Sequence, residues 1–261
     1  MFMTQPVRQI DRLLDIMKRL RDPQNGCPWD MEQTPGTIAP YAIEEAYEVL
    51  DAIERNDEAA LPDELGDLLL QVVFQAQMAE EAGRFDFETV SGMIADKLVR
   101  RHPHVFGEER AEDQNWENEK EAERHGRAEF GALAGVARPL PALLRAAKLC
   151  KRAARVGFDW DDASGVLDKM HEEIDEMKAE LGGDRDRIED ELGDVLFTVA
   201  SLARKLDIDP EAALRRSNAK FTRRFEAMEE VLAAEGRTMT EQDLPALEAL
   251  WQAVKKKPGM R

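Results

Sequence analysis

Apolar residues recur along this chain at the spacing of one helix face. Val7, Ile10, Leu13, Leu14, Met17 and Leu20 fall three or four apart, the interval that lines up one side of an α-helix. That helix is expected to stop near Asp22-Pro23, and the turn-rich Asn25-Gly26-Cys27-Pro28 reads as a loop. A second helix is expected to begin after Pro40 and to carry Ala42, Ala46, Val49, Leu50 and Ile53. A third starts at Leu61-Pro62, where a first-turn proline costs nothing because its missing N–H would have no partner. It ends at Gly83. A fourth covers about residues 87 to 101 and stops before Pro103. Residues 107 to 131 lose the pattern: they are polar, charged and short of aliphatic side chains, with a solvated helix expected around Trp116 to Arg127. The pattern resumes after Pro139 and Pro141 with Leu143, Leu144 and Leu149. Further helices are expected over about 162–181, ending at Gly182-Gly183, over about 186–206, from Asp209-Pro210 to near Gly236, and from Thr240 through Leu244, Leu247, Leu250 and Trp251. No segment alternates with period two, so the fold class is all-α. The division expected is an N-terminal helical domain over 1–106, a polar linker over 107–137 and a C-terminal helical domain over 138–261.

Composition agrees and narrows the partners. Of 261 residues, 43% are hydrophobic and 34% charged, a globular balance, while aromatics are only 6%. The net charge of -18 argues against a long nucleic acid as ligand, because that affinity comes from cations neutralising many phosphates. It suits hard cations, or small phosphates bridged by a metal. The longest apolar run, Leu68 to Phe74, is broken by Gln71, and nothing approaches the ~20 residues a membrane helix needs. The first residues carry no uninterrupted apolar core of the secretory kind, so a cytoplasmic protein is expected. Cys27 and Cys150 offer neither a disulfide framework nor metal spacing.

The chain contains its own repeat. Glu44-Glu45-x-x-Glu48 is matched by Glu172-Glu173-x-x-Glu176, Glu64-Leu65-Gly66-Asp67 by Glu191-Leu192-Gly193-Asp194, and Lys97-x-x-Arg100-Arg101 by Lys220-x-x-Arg223-Arg224. Glu48 to Glu64 is 16 residues and Glu176 to Glu191 is 15. Each half therefore reads EExxE, ELGD, KxxRR on three successive helices. Acids three apart share a helix face, so two such helices packed together aim four carboxylates at one point. Unaided, they repel and raise one another's pKa values. A divalent cation removes the conflict, and all-oxygen ligation suits Mg²⁺ or Mn²⁺. Glycine inside a helix costs about 1 kcal/mol against alanine, so Gly66 and Gly193 suggest the close approach of a neighbouring helix or ligand. Taken singly, EExxE is common on solvated helices. The two acid motifs at matched spacing, twice, are not. The basic motif reads as a phosphate grip, or else as a surface turn or an ion-pair partner of the acids.

These motifs, with the loops Cys27-Pro28-Trp29-Asp30 and Gly157-Phe158-Asp159-Trp160 ahead of each EExxE helix, resemble the MazG-type nucleoside triphosphate pyrophosphohydrolases of the two-domain kind, over almost the whole chain. The resemblance implies two repeated four-helix-type units, Mg²⁺, cleavage of nucleoside triphosphates to monophosphate and pyrophosphate, and homodimers or higher assemblies. Carried onto this sequence, it implies metal ligands Glu173, Glu176, Glu191 and Asp194. Phosphate contacts would come from Lys220 and Arg224, with Lys169 joining them. Glu172 or Glu173 would take the proton of the attacking water, a choice the sequence leaves open. Trp251 would meet the nucleotide or else sit in the core. Asn218 precedes Lys220 by two where Ala95 precedes Lys97. An amide can read a hydroxyl or phosphate and a methyl cannot, so the C-terminal copy is expected to be the catalytic one. Glu45, Glu48, Glu64, Asp67, Lys97 and Arg101 would form a second or vestigial site.

Two other classes fit the sequence less well. A carboxylate di-iron bundle uses Glu-x-x-His, and none of His102, His104, His125 and His171 follows a Glu at that interval. A non-enzymatic helical scaffold accounts for the helices but not for the duplicated acids.

Overall fold

The computed structural model describes residues 8–107 and 131–260, and all secondary structure there is helical. The chain divides into two compact units, 1–119 and 120–261. Most of the expected linker, and the helix expected at Trp116 to Arg127, lies outside the described residues.

Unit 1 holds α1 (Gln9–Leu20), α2 (Pro28–Glu32), α3 (Pro35–Glu54), α4 (Leu61–Glu81), α5 (Phe87–Arg101) and α6 (Pro103–Phe106). Helices α3 and α4 pack along each other as a hairpin, α1 lies on α4, and α5 follows on α4. The core is Met17, Ile38, Val73, Phe74 and Met78, with Leu13, Leu14, Leu70 and Phe87 against it. Val73, fully buried, stabilises the unit by about 1.5–3 kcal/mol. Helix α3 begins earlier than expected, at Pro35 rather than after Pro40. The Thr34 and Thr37 hydroxyls each accept a hydrogen bond from the other's backbone N–H, at 3.2 and 2.9 Å. This reciprocal cap nucleates the turn, and Pro40 is carried inside the helix at the loss of one backbone bond. Gly83, at φ 65°, closes α4 as expected.

Unit 2 holds α7 (Ala142–Ala154), α8 (Ala163–Glu180), α9 (Arg185–Lys205), α10 (Pro210–Ala234), a 3₁₀ turn (Met239–Glu241) and α11 (Leu244–Val254). Helices α8 and α9 repeat the α3–α4 hairpin, α7 lies along α9, and α10 packs on α7, α9 and α11. Helices α8 to α11 each start at an aspartate whose carboxylate accepts from the backbone of the first turn, Asp162, Asp184, Asp209 and Asp243, whereas α7 starts at Pro141 without a side-chain cap. Part of the chain's acidity is thus helix capping. The expected single last helix is two pieces, because Asp243 caps α11 separately.

Candidate active site

In each unit the hairpin brings the acids together. In unit 1, α3 presents Glu45 and Glu48 and the first turn of α4 presents Glu64, and one oxygen from each lies within 4.8 Å of the others. Asp67 is outside that triplet. Its charge nevertheless acts on Glu45, whose pKa is raised by burial first and then by Asp67 and Glu48. Glu64 is raised likewise, by loss of hydration and then by Glu48. One turn past Asp67, the buried Gln71 donates from Nε2 to Glu45 Oε1 at 3.4 Å.

In unit 2 the triplet is Glu173 from α8 with Glu191 and Asp194 from α9, again within 4.8 Å. Glu176 is outside it, beside Glu173. Loss of hydration raises Glu176, Lys169 opposes, and Glu173 and Glu172 add to the rise. Glu173 is buried, with 6% of its surface exposed. Lys169, one turn earlier on α8, donates to Glu172 Oε1 at 2.7 Å and lies 2.8 Å from Glu173 Oε1. Both carboxylates push the lysine pKa up. Lys169, which the resemblance to the family places on phosphate, is paired here with these two acids.

The residues assigned to phosphate and base are distributed differently. Asn218 is exposed and Lys220 half-buried on α10. Arg224 donates from Nε to the Met260 carbonyl at 2.7 Å and stacks 5.6 Å over the Trp251 ring. Trp251 also meets Phe221 at 5.3 Å and, half-buried, packs against Ala227, Met228 and Val254. In unit 1, Lys97 and Arg101 are both half-buried on α5. Of the histidines, His171 turns Nδ1 to the Leu167 carbonyl at 2.8 Å, within its own helix.

The two loops are held in place by cations. Arg21 donates to the Asp30 and Gln33 carbonyls and pairs with Glu81 at 2.7 Å. In unit 2, Asp159 binds both Arg204 and, at 2.9 Å, Lys205, and Lys205 also donates to the Trp160 carbonyl. Each loop is thereby fastened to the far end of the ELGD helix. The loops are legible in the sequence but their anchors are not, because in unit 2 they come from residues 45 apart.

The helix glycines correct one expectation. A Cβ at Gly66 or Gly193 would meet nothing within 4 Å, so no helix of the described chain presses on either. Beside them, Leu65, Leu69 and Val72 on α4, and Leu192, Leu196 and Val199 on α9, point to solvent.

With the geometry in hand, the chain's relatives can be placed beside it. The family model for the MazG nucleotide pyrophosphohydrolase domain matches residues 33–106 and 162–228, the two hairpins with the helix that follows each. The chain is 54% identical to a nucleoside triphosphate pyrophosphohydrolase of Escherichia coli, over 96% of this chain and 98% of that protein. It is 41% identical to the nucleoside triphosphate pyrophosphohydrolase/pyrophosphatase MazG of Thermotoga maritima, over 94% and 95%. It is 42% identical to the uncharacterized protein YabN of Bacillus subtilis, over 92% of this chain and 50% of that protein. Two acid-bearing hairpins, each inside a matched segment, and identity sustained along nearly the whole length lead to one conclusion: the chain belongs to the MazG nucleotide pyrophosphohydrolase family.

Proposed function

We propose that the protein hydrolyses nucleoside triphosphates to nucleoside monophosphate and pyrophosphate in unit 2, with Mg²⁺ or Mn²⁺ as cofactor. The observation that carries this reading is the convergence of Glu173, Glu191 and Asp194. An octahedral Mg²⁺ with ligands at about 2.1 Å spans at most about 4.2 Å between them, so three oxygens within 4.8 Å close on it with a small movement. Glu176, beside Glu173, completes the acidic set. The ion, when bound, would activate water and stabilise charge on the leaving pyrophosphate.

The chain's own groups divide the remaining work. Glu173, buried and within the triplet, is committed to holding the ion. Glu172 is more than half exposed, and we assign it as the base that takes the water's proton. Lys169 exchanges its carboxylate partners for phosphate oxygens when substrate enters. Lys220 and Asn218 on α10 offer further phosphate and sugar contacts. Arg224 and Trp251, stacked together, form an aromatic and cationic edge where a base can lie.

Glu191→Ala is the decisive variant. With the fold intact by circular dichroism, release of pyrophosphate from mixed nucleoside triphosphates and Mg²⁺ should fall at least about a hundredfold, since loss of an outer-shell partner alone costs 10–100-fold. Near-normal turnover would overturn the assignment. We read the protein further as a cytoplasmic homodimer. The stripes Leu65, Leu69, Val72 and Leu192, Leu196, Val199 support the dimer, because their four-then-three spacing is that of a helix–helix seam. No described helix is long and apolar enough to cross a membrane.

A further inference from the structure

We propose that the two acidic hairpins divide the metal between them: unit 1 holds a divalent cation on its own, and unit 2 takes one strongly only together with a triphosphate. The inference rests on the reading above, that the EExxE–ELGD acids bind Mg²⁺ or Mn²⁺. It comes from two of the places where the copies differ.

The first difference is the residue one turn before the acids. Unit 2 has Lys169, whose ammonium sits 2.7 and 2.8 Å from Glu172 and Glu173. Unit 1 has Tyr41, four residues before Glu45 as Lys169 is four before Glu173. A cation entering unit 2 must displace this ammonium or share the carboxylates with it. Like charges about 4 Å apart repel, and near a protein surface water screens that repulsion only in part. Among the described residues, no ammonium is bonded to Glu45, Glu48 or Glu64 as Lys169 is to Glu172 and Glu173. Arg55, which acts on Glu64 from a distance, is already paired with Asp51 at 2.7 Å and Asp57 at 3.1 Å.

The second difference lies one turn after the repeat's aspartate. Unit 2 has Thr198 there and unit 1 has Gln71. Gln71 is 8% exposed, its Nε2 reaches Glu45, and its Oε1 is buried without a hydrogen-bond partner. A buried amide oxygen left unpaired is costly. Turning the amide about its last bond exchanges oxygen for nitrogen and offers the oxygen to the acid cluster. A cation bound by the acids, or a water held by one, makes that exchange favourable. Unit 1 therefore carries three carboxylates and a neutral oxygen ready for a hard ion. In unit 2 the ammonium keeps the bare site closed until a triphosphate supplies it with new partners. The substrate then brings its own metal, and unit 1's ion stays as a fixed part of the fold.

The test is Mn²⁺ binding to the full-length protein without nucleotide, followed by electron paramagnetic resonance and by thermal unfolding. Two classes of site are expected, the tighter by at least about tenfold, a difference of 1.4 kcal/mol. Glu64→Gln should remove the tight class and its thermal stabilisation; Glu191→Gln should remove the weak one. A non-hydrolysable triphosphate should strengthen only the class that Glu191→Gln removes. Tyr41→Lys should weaken the tight class about tenfold, Lys169→Tyr should tighten the weak one, and Gln71→Leu should weaken the tight class in a protein still folded by circular dichroism. Equal affinities in the two units, or a tight class indifferent to Tyr41→Lys, would overturn the division while leaving the metal reading intact. If neither Glu64→Gln nor Glu191→Gln changes Mn²⁺ binding, the metal reading itself fails.

Discussion

Asp159 is a single carboxylate that restrains two cations, and its position explains why the loop ahead of α8 is ordered. Burial alone would raise its pKa, but hydrogen bonds from Lys205 and Arg204 outweigh burial and hold it below the usual carboxylate range. The folded state therefore binds this proton less readily than the unfolded chain, whose value is about 3.9. The stabilisation is complete above that ordinary value and is lost as pH falls through the lower, folded value. Asp159→Asn keeps the shape and removes the charge. We expect it to cost unit 2 about 2 kcal/mol in denaturant unfolding at pH 7, the scale of hydrogen bonds to a charged group. The difference between variant and parent should begin to shrink below about pH 4, where the unfolded parent takes up this proton, and be gone below the lower, folded value. A difference that stays constant down to pH 2 would mean that the charge is not what holds the loop. Lys169 gives a second test at this scale. Lys169→Met should raise KM for a triphosphate about tenfold, the worth of one charge-assisted contact, while kcat changes less; an unchanged KM would remove Lys169 from the phosphate grip.

At the scale of elements, the helices were legible because their cores are periodic and their ends are punctuated. Gly83 and the aspartates before α8 and α10 mark boundaries that the chain keeps to within a residue or so. The start of α3 was not legible, because a rule about the residue before proline competes with a cap made by two threonines, and the cap prevailed. The acid motifs were legible through their duplication. The partners of those acids were not, since the Gln71–Glu45 bond joins residues 26 apart and has no spacing signature. The role of the helix glycines was only half legible: sequence indicated a reason for Gly193, and the open space around it removes a neighbouring helix of the described chain as that reason. Alanine should then fit. Gly193→Ala is expected to stabilise unit 2 by about 0.5–1 kcal/mol through helix propensity. If turnover falls while stability rises, a ligand or a second copy approaches that backbone. If stability falls, the surroundings of Gly193 are tighter than the 4 Å clearance implies.

At the scale of the whole molecule, the repeated stripe is the feature that one chain leaves unexplained. Leu65, Leu69 and Val72 are 48%, 39% and 41% exposed, and Leu192, Leu196 and Val199 are 47%, 48% and 38% exposed. The same three positions of the repeat are apolar and open in both copies, although the sequences around them have diverged. Scattered exposed leucines need no explanation, but a seam at four-then-three spacing that survives in two diverged copies does. A net charge of -18 opposes self-association, so an interface between copies must be apolar enough to overcome it. Both stripes begin next to an ELGD glycine, where a second helix can come close. We expect a species of twice 29.5 kDa in sedimentation velocity, more dimeric as added salt screens the charge. Leu69→Glu with Leu196→Glu should shift it to a monomer of unchanged helix content, because a charge buried at a seam costs several kcal/mol. Either a parent that sediments as a monomer at every concentration, or a double variant that remains dimeric, would remove the stripe from the interface.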